Sequence, residues 1–238
     1  MPLAPVLLAE WIKIRTLRSL VGSLAGILVA TAAFSALASA DAGTDDPDPL
    51  FSVFLGVGFG QIAAIAFGTT ALSSEFRGGA LRLTLAAVPD RRRWFAAKAT
   101  AIALPVLAVG LLTGVVTLLV GKAVLGALGP SWTEGLRGAV GCGLHLTLMA
   151  LFATGLAAVL RSGVATLSIL IPFLLIVSFV IGDLSAGVAD YLPDRAGQVA
   201  LHSTWEGSLG PWTGLAVAAV WTGAALFAGA WSIQRRDA

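Results

Sequence analysis

The sequence predicts an all-α, polytopic membrane protein. Hydrophobic residues make up 57% of its 238 residues and charged residues only 12%, too few to cover a soluble globule. About 20 apolar residues cross the hydrocarbon core of a bilayer as a helix, whereas the strands of a barrel would be short and alternating. Six runs meet the helical requirement, at about residues 20–40, 50–72, 99–121, 138–160, 164–182 and 210–231.

The charges indicate how these six spans are oriented. If the N-terminus is cytoplasmic, twelve Lys and Arg residues fall inside and three fall outside, namely Lys122, Arg137 and Arg195. This asymmetry follows the positive-inside rule. We therefore expect a single transmembrane domain over residues 1–238 with both termini in the cytoplasm. Topology accounts for the basic residues, so no nucleic-acid partner is expected.

Ala38-Ser39-Ala40 follows the first apolar run and resembles a signal-peptidase site. The run is about 20 residues long, whereas the apolar core of a signal peptide has about 7–15. An uncleaved first helix is therefore the simpler interpretation. The single cysteine, Cys142, excludes an intrachain disulfide and a cysteine-based metal site.

The segment before the first span, residues 3–18, mixes apolar and charged side chains. Its polar and amphipathic members are Glu10, Trp11, Lys13, Arg15 and Arg18. Tryptophan prefers the headgroup region, and long cationic side chains extend to the aqueous surface. The composition therefore predicts a helix that lies in the membrane interface.

The connection between the second and third spans, residues 73–98, carries six of the fifteen cationic residues. It begins with a segment that can form a short helix after Gly79. A turn at Pro89-Asp90 then precedes Arg91-Arg92-Arg93. Positive charge alone would indicate no more than a basic loop that fixes topology. Because it is the largest cytoplasmic connection, we expect a partner to dock there.

Two polar residues lie inside predicted spans, Gln61 and His145. Polar groups at membrane depth are costly unless they are paired or face a cavity. Each either lines a substrate path or forms a hydrogen bond between neighbouring helices, and the sequence does not decide between the two. Three Gly-x-x-x-Gly spacings, at Gly22, Gly56 and Gly110, predict close helix packing within the subunit.

Catalytic and nucleotide-binding motifs are missing from the sequence. No G-x-x-x-x-G-K-[ST] segment occurs, so the chain has no phosphate-binding loop for ATP. No His-Glu-x-x-His arrangement is present either, and His202 with Glu206 is too weak a pattern to indicate a metal site. We expect neither an enzyme nor a bound metal or cofactor.

Several segments are similar to one transporter family. The stretch Glu10–Arg18 resembles the elbow helix of type-2 ATP-binding-cassette (ABC) exporter permeases. Glu75–Arg82, followed by the three arginines, resembles that family's E-x-R-x-G-[TA] segment. The outer stretch Tyr191–Gly197 and the terminal Arg235–Ala238 are also similar to bacterial members. The resemblance extends over the whole chain, although its motifs are degenerate.

The resemblance implies a half-transporter of the bacterial plasma membrane. Two such subunits, identical or related, would assemble with two copies of a separate ATPase that binds ATP and Mg. The substrate would be an amphiphilic drug, peptide or lipid-like molecule. The implied coupling helix contains Glu75, Phe76, Arg77, Gly78, Gly79, Leu81 and Arg82. Charge reversal at both Glu75 and Arg77 would then uncouple export from ATP hydrolysis.

Other functions remain open. A secondary transporter usually has acidic ion-coupling residues near mid-membrane, and no Asp or Glu lies centrally in any predicted span. A membrane scaffold or an immunity protein that binds partners without transport is not excluded. Co-purification of an ATPase whose activity depends on this chain would distinguish these functions.

Overall fold

The computed structural model describes residues 3–42, 46–78, 80–87, 90–174, 187, 189–204 and 207–235. Over these residues the protein is helical, with no β-strand. Five helical segments are long and apolar enough to cross a membrane, beginning at Arg18, Pro49, Arg91, Trp132 and Pro211. The protein is therefore built as a membrane-type helical bundle.

The described part of the chain contains ten α-helices. They are α1 (Leu3–Thr16), α2 (Arg18–Asp41), α3 (Pro49–Phe54), α4 (Val57–Ser73), α5 (Ala80–Ala87), α6 (Arg91–Leu125), α7 (Trp132–Leu160), α8 (Gly163–Pro172), α9 (Pro193–Gln198) and α10 (Pro211–Arg235). Short 3₁₀ turns follow α4, α6 and α9, and another precedes α9.

Helix α7 lies at the centre of the bundle and packs against α4, α6 and α10. Small residues allow these close approaches. A Cβ atom on Gly68 of α4 would collide with the carbonyl oxygen of Ala150, and one on Gly114 of α6 would collide with the backbone of Ala139. Helices in lipid gain their contacts mainly from such close packing, because apolar burial alone gives little advantage there.

Of the three predicted Gly-x-x-x-Gly pairs, two lie in tight contacts within the chain. Gly56 and Gly60 approach α2 at Ser35 and Thr31, and the amide of Gly56 donates to the Ser35 hydroxyl at 3.0 Å. Gly110 and Gly114 approach α7. Gly22 has no described atom within 4 Å of its would-be Cβ, and that of Gly26 would lie 3.4 Å from the Cβ of Ala63, an ordinary contact. This first pair is therefore packed less tightly than the other two.

The outer helices of the bundle expose apolar side chains. Leu37 on α2 is 66% exposed, and Phe227 on α10 is 70% exposed. Such surfaces suit contact with lipid tails rather than water. The bundle is thus apolar both in its core and around its sides.

The third predicted span is part of a longer helix. Helix α6 begins at Arg91 rather than near residue 99, because Asp90 caps it by accepting from the amides of Arg92 and Arg93. Lys98 therefore lies inside a helix and not in a loop. Helix α8 ends at Pro172, and the described segment that contains it ends at residue 174. Residues 175–182 of the predicted fifth span therefore lie outside the described residues.

The connection before α10 enters the bundle instead of lying on its surface. A Cβ on Gly141 of α7 would collide with Ala200, and one on Gly197 of α9 would collide with the His145 ring. His145 is thirteen residues into α7, which places this contact about 20 Å along the helix axis. Sequence analysis predicted only an outer loop here, since the segment is too short and too polar to be recognised as a span.

Candidate functional site

Four charged side chains form an ion cluster at one end of the bundle. The ammonium of Lys98 lies 2.5 Å from a carboxylate oxygen of Glu10 and 2.8 Å from one of Glu75. Lys13 bridges the same two acids, at 3.0 Å from Glu10 and 2.8 Å from Glu75. We refer to Glu10, Lys13, Glu75 and Lys98 as the ion cluster.

The ion cluster connects three separate elements. Glu10 and Lys13 come from α1, Glu75 from the 3₁₀ turn that follows α4, and Lys98 from the second turn of α6. The hydroxyl of Thr84 on α5 also donates to Glu75, at 3.4 Å. The N-terminal helix, the loop after α4 and a membrane helix are thereby joined at one point.

Burial makes the ion cluster energetically sensitive. The side chains of Glu10, Glu75 and Lys98 are 3–4% exposed, whereas that of Lys13 is 40% exposed. Burial by itself would lower the pKa of Lys13, but hydrogen bonds and charges from Glu75 and Glu10 outweigh it and raise the pKa. The two positive and two negative charges balance, so removing one of them would leave a buried charge uncompensated.

Residues next to the ion cluster form an exposed surface. Arg77, Gly78, Arg82 and Leu83 are exposed, and Leu83 is exposed by 75%. Gly78 has a φ of +61°, a conformation that glycine adopts without steric strain and that turns the chain between α4 and α5. Gly79, part of the implied coupling helix, lies outside the described residues.

The remaining members of that implied helix hold the segment on the bundle. Leu81 is buried in a small core with Leu72 and Trp94. The ring of Phe76 faces the guanidinium of Arg161 at 6.0 Å. Glu75 therefore contacts its own chain, and the surface available to a partner belongs to Arg77, Arg82 and Leu83.

Helix α1 presents two different faces. Glu10 and Ile14 are buried against the bundle. Trp11 is 44% exposed, and Arg15 is also exposed. Arg18, which the sequence placed in the same segment, is exposed as the first residue of α2. Leu17 adopts an extended conformation between α1 and α2, so the chain bends there.

Gln61 and His145 are paired with each other. The amide oxygen of Gln61 lies 3.0 Å from Nε2 of His145, and both side chains are buried. An amide oxygen only accepts, so Nε2 of His145 is the donor in this hydrogen bond. Nδ1 faces Gly197 and has no hydrogen-bond partner among the described residues. The two side chains thus form a hydrogen bond between α4 and α7.

At the opposite end of the bundle, Asp48 attaches the α9–α10 connection to α3. It accepts from Nδ1 of His202 at 2.8 Å and from the amide of Ser203 at 2.9 Å. It also caps α3 by accepting from the amide of Phe51, whose ring stacks on His202. From the sequence, His202 was paired with Glu206, which lies outside the described residues. Asp48 was missed because it is 154 positions away from His202 in the chain.

No protein-family model matches the chain, and no curated protein matches it. The resemblance to ABC exporter permeases therefore rests on the sequence segments described above.

Proposed function

We propose that this chain is the membrane-spanning permease subunit of an ATP-driven exporter, with six spans, an N-terminal elbow helix and both termini in the cytoplasm. The observation that carries this proposal is the ion cluster. Transport driven by a separate ATPase requires a lever at the cytoplasmic end that moves together with spanning helices. The cluster joins α1, the loop after α4 and α6 at a single buried point.

The segment after α4 would contact the ATPase through its exposed side chains. Arg77 and Leu83 project from the loop held by the ion cluster, and both are exposed. An exposed leucine beside a cation fits a docking surface, because interfaces combine an apolar centre with charged residues around it. Glu75 would act from inside by fixing the loop to Lys98, so its role is positioning rather than contact with the partner.

The positions of the charges support the proposed orientation. Contacts among Lys13, Glu75 and Lys98, and between Arg91 and the carbonyl of Ile233, bring the arginine-rich segments to one end of the bundle. The positive-inside rule would make this end cytoplasmic. A cysteine introduced at Arg93 in intact cells should then resist an impermeant reagent that labels one introduced at Asp190. Cys142 is buried, so background labelling should be low.

The decisive experiment is reconstitution with an ABC ATPase that co-purifies with this chain. We expect the purified chain to bind that ATPase and to raise its ATP hydrolysis several-fold in liposomes. The variant Arg77→Gln/Leu83→Ser should insert normally but lose this stimulation. Arg15→Gln/Leu8→Ser removes the same side-chain types from exposed positions of α1 and should retain it.

Each alternative function predicts a different result. A scaffold or immunity protein would bind its partner without any ATP-dependent movement of substrate. A secondary transporter would transport in vesicles without an ATPase. If neither ATPase binding nor stimulation occurred with the wild-type chain, the exporter proposal would be wrong.

A further inference from the structure

A groove of about 770 Å³ runs along the side of the bundle between α6 and α10, at the arginine-rich end. Much of its lining is apolar, including Phe95 and Ala99 on α6 and Phe227 and Trp231 on α10. Phe227 and Trp231 are 70% and 48% exposed, so the groove opens sideways, toward the position of lipid. It is large enough for a small amphiphile.

Two guanidinium groups, those of Arg92 and Arg235, line the groove at the arginine-rich end of the bundle. Arg235 lies over the ring of Trp231, 4.5 Å from its centroid, and Nε of Arg92 donates to the side-chain oxygen of Gln234 at 3.1 Å. Both partners are neutral. Among the described residues no carboxylate forms an ion pair with either arginine, whereas the neighbouring Arg93 is paired with Asp90. Within the part of the chain that the structure describes, which ends at Arg235, this end of the groove therefore has two positive charges that no carboxylate pairs with.

The side chains that α10 contributes to the groove change in polarity along the helix. Phe227, Trp231 and Arg235 follow one another at intervals of four residues on one face of α10, from apolar to aromatic to cationic. This order matches the profile of a bilayer leaflet, since tryptophan prefers the headgroup level and arginine the phosphate level. Arginine also binds phosphate through two parallel hydrogen bonds.

We propose that this groove is a binding site for an anionic phospholipid, with its phosphate between Arg92 and Arg235 and an acyl chain along Phe95, Phe227 and Trp231. Basic pockets between membrane helices commonly bind anionic headgroups. A second copy of the chain is a poorer occupant, because its own arginine-rich end would face these two cations with like charge. The inference depends on insertion in a membrane and does not depend on transport.

Brominated lipids provide a direct test, because bromine on an acyl chain quenches tryptophan on contact. The full-length protein would be placed in phosphatidylcholine nanodiscs that contain either brominated phosphatidylglycerol or phosphatidylcholine with the same brominated chain. Subtracting the signal of Trp231→Phe isolates Trp231 from the other tryptophans. We expect phosphatidylglycerol to half-quench Trp231 at a mole fraction about tenfold lower, with this preference weakening as salt increases.

Charge variants identify the residues responsible. Arg92→Gln/Arg235→Gln should remove the preference for phosphatidylglycerol. Arg92→Lys/Arg235→Lys keeps both charges and should retain part of the preference, which provides a second test if the first variant misfolds. Arg15→Gln/Arg18→Gln neutralises two exposed arginines of the same end outside the groove and should leave the preference intact. Equal quenching by both lipids, equal loss in the control variant, or no quenching of Trp231 by either lipid would overturn the proposal.

Discussion

The ammonium of Lys98 lies 2.8 Å from the carboxylate of Glu75, and both side chains are almost completely buried. Lys98 lies within α6 and Glu75 in the turn after α4, with α5 and the start of α6 between them. The pair closes this segment into a loop with fixed ends. Because Glu10 and Lys13 complete the charge balance, the N-terminal helix α1 is fixed to the same point.

Replacing Lys98 with methionine tests this charge balance. The variant Lys98→Met leaves Glu10 and Glu75 buried with only Lys13 between them, and we expect it to lower the free energy of unfolding by about 3–5 kcal/mol. Titration with a denaturing detergent, followed by circular dichroism, would measure the change. Adding Glu10→Gln to Lys98→Met restores neutrality and should recover part of the loss.

A matched control is available on the same helix. Arg93 pairs with Asp90, and their side chains are 63% and 49% exposed. Arg93→Met should therefore cost less than about 1 kcal/mol. Similar losses in Lys98→Met and Arg93→Met would contradict a special role for the ion cluster. The same reasoning makes Glu75→Lys unsuitable as a test of coupling, because it would place a third cation against Lys13 and Lys98.

The close approach of α4 and α7 can be tested at two glycines of α4. Gly68→Ala would force a methyl group against the Ala150 carbonyl, and we expect a destabilisation of about 1–3 kcal/mol. Gly58 has no atom within 4 Å of its would-be Cβ, so Gly58→Ala should be neutral or stabilise the helix by up to about 1 kcal/mol. Thermal unfolding of both variants in the same detergent would compare them, and equal effects would refute this packing.

The Gln61–His145 hydrogen bond can be measured with a double-mutant cycle. We expect Gln61→Leu and His145→Leu to be coupled by about 0.6 kcal/mol and by no more than about 1.7 kcal/mol, the range found for hydrogen bonds between membrane helices. Unfolding of both single variants and the double variant would give this energy. Additive effects would show that the two side chains act independently, which would favour a separate role for each.

Because of Asp48, the stability of the protein should depend on pH in the acidic range. Burial would raise the pKa of Asp48, but hydrogen bonds from Ser203, Phe51 and His202 outweigh it and hold the pKa below its ordinary value. A carboxyl with a lowered pKa in the folded state stabilises the protein at pH values above about 3.9, where the unfolded state is also ionised. This stabilisation is lost as the pH falls below that value.

The variant Asp48→Asn isolates this contribution. At pH 7 we expect it to be less stable by about 1.5–3 kcal/mol, the usual range for a hydrogen bond to a charged group. Between pH 6 and pH 3 its melting temperature should fall less steeply than that of the wild type. Asp41 is exposed at the end of α2, so Asp41→Asn should follow the wild-type curve. A parallel fall in all three proteins would disprove the assignment.

Long apolar runs could be recognised without a structure because their signal is local. Each of the helices α2, α6, α7 and α10 overlaps a predicted span, and α3 and α4 together cover another. The signals for helix ends were weaker: Asp90 was assigned to a turn, although its side chain begins α6. Predicted spans are located by mean hydropathy. A capping side chain such as Asp90 moves the start of a helix by several residues without changing that average.

Candidate site residues were harder to interpret than helices. The resemblance placed Glu75 in the coupling helix that would meet the ATPase, whereas the structure buries its side chain against Lys13 and Lys98. Gln61 and His145 stood out as polar residues inside predicted spans, but only the packing of α4 on α7 shows that they face each other. Asp48 and His202 carried no sequence signal for contact at all.

The sequence alone determined that this protein is a bundle of apolar helices with its arginines concentrated in particular segments, since length and hydrophobicity act within each helix. Tertiary structure alone decided which charges neutralise one another, how deeply α9 enters the bundle, and which two arginines of the groove have no carboxylate partner among the described residues. Those properties depend on distances between residues far apart in the chain, and such distances are set only when glycine and alanine faces allow the helices to approach.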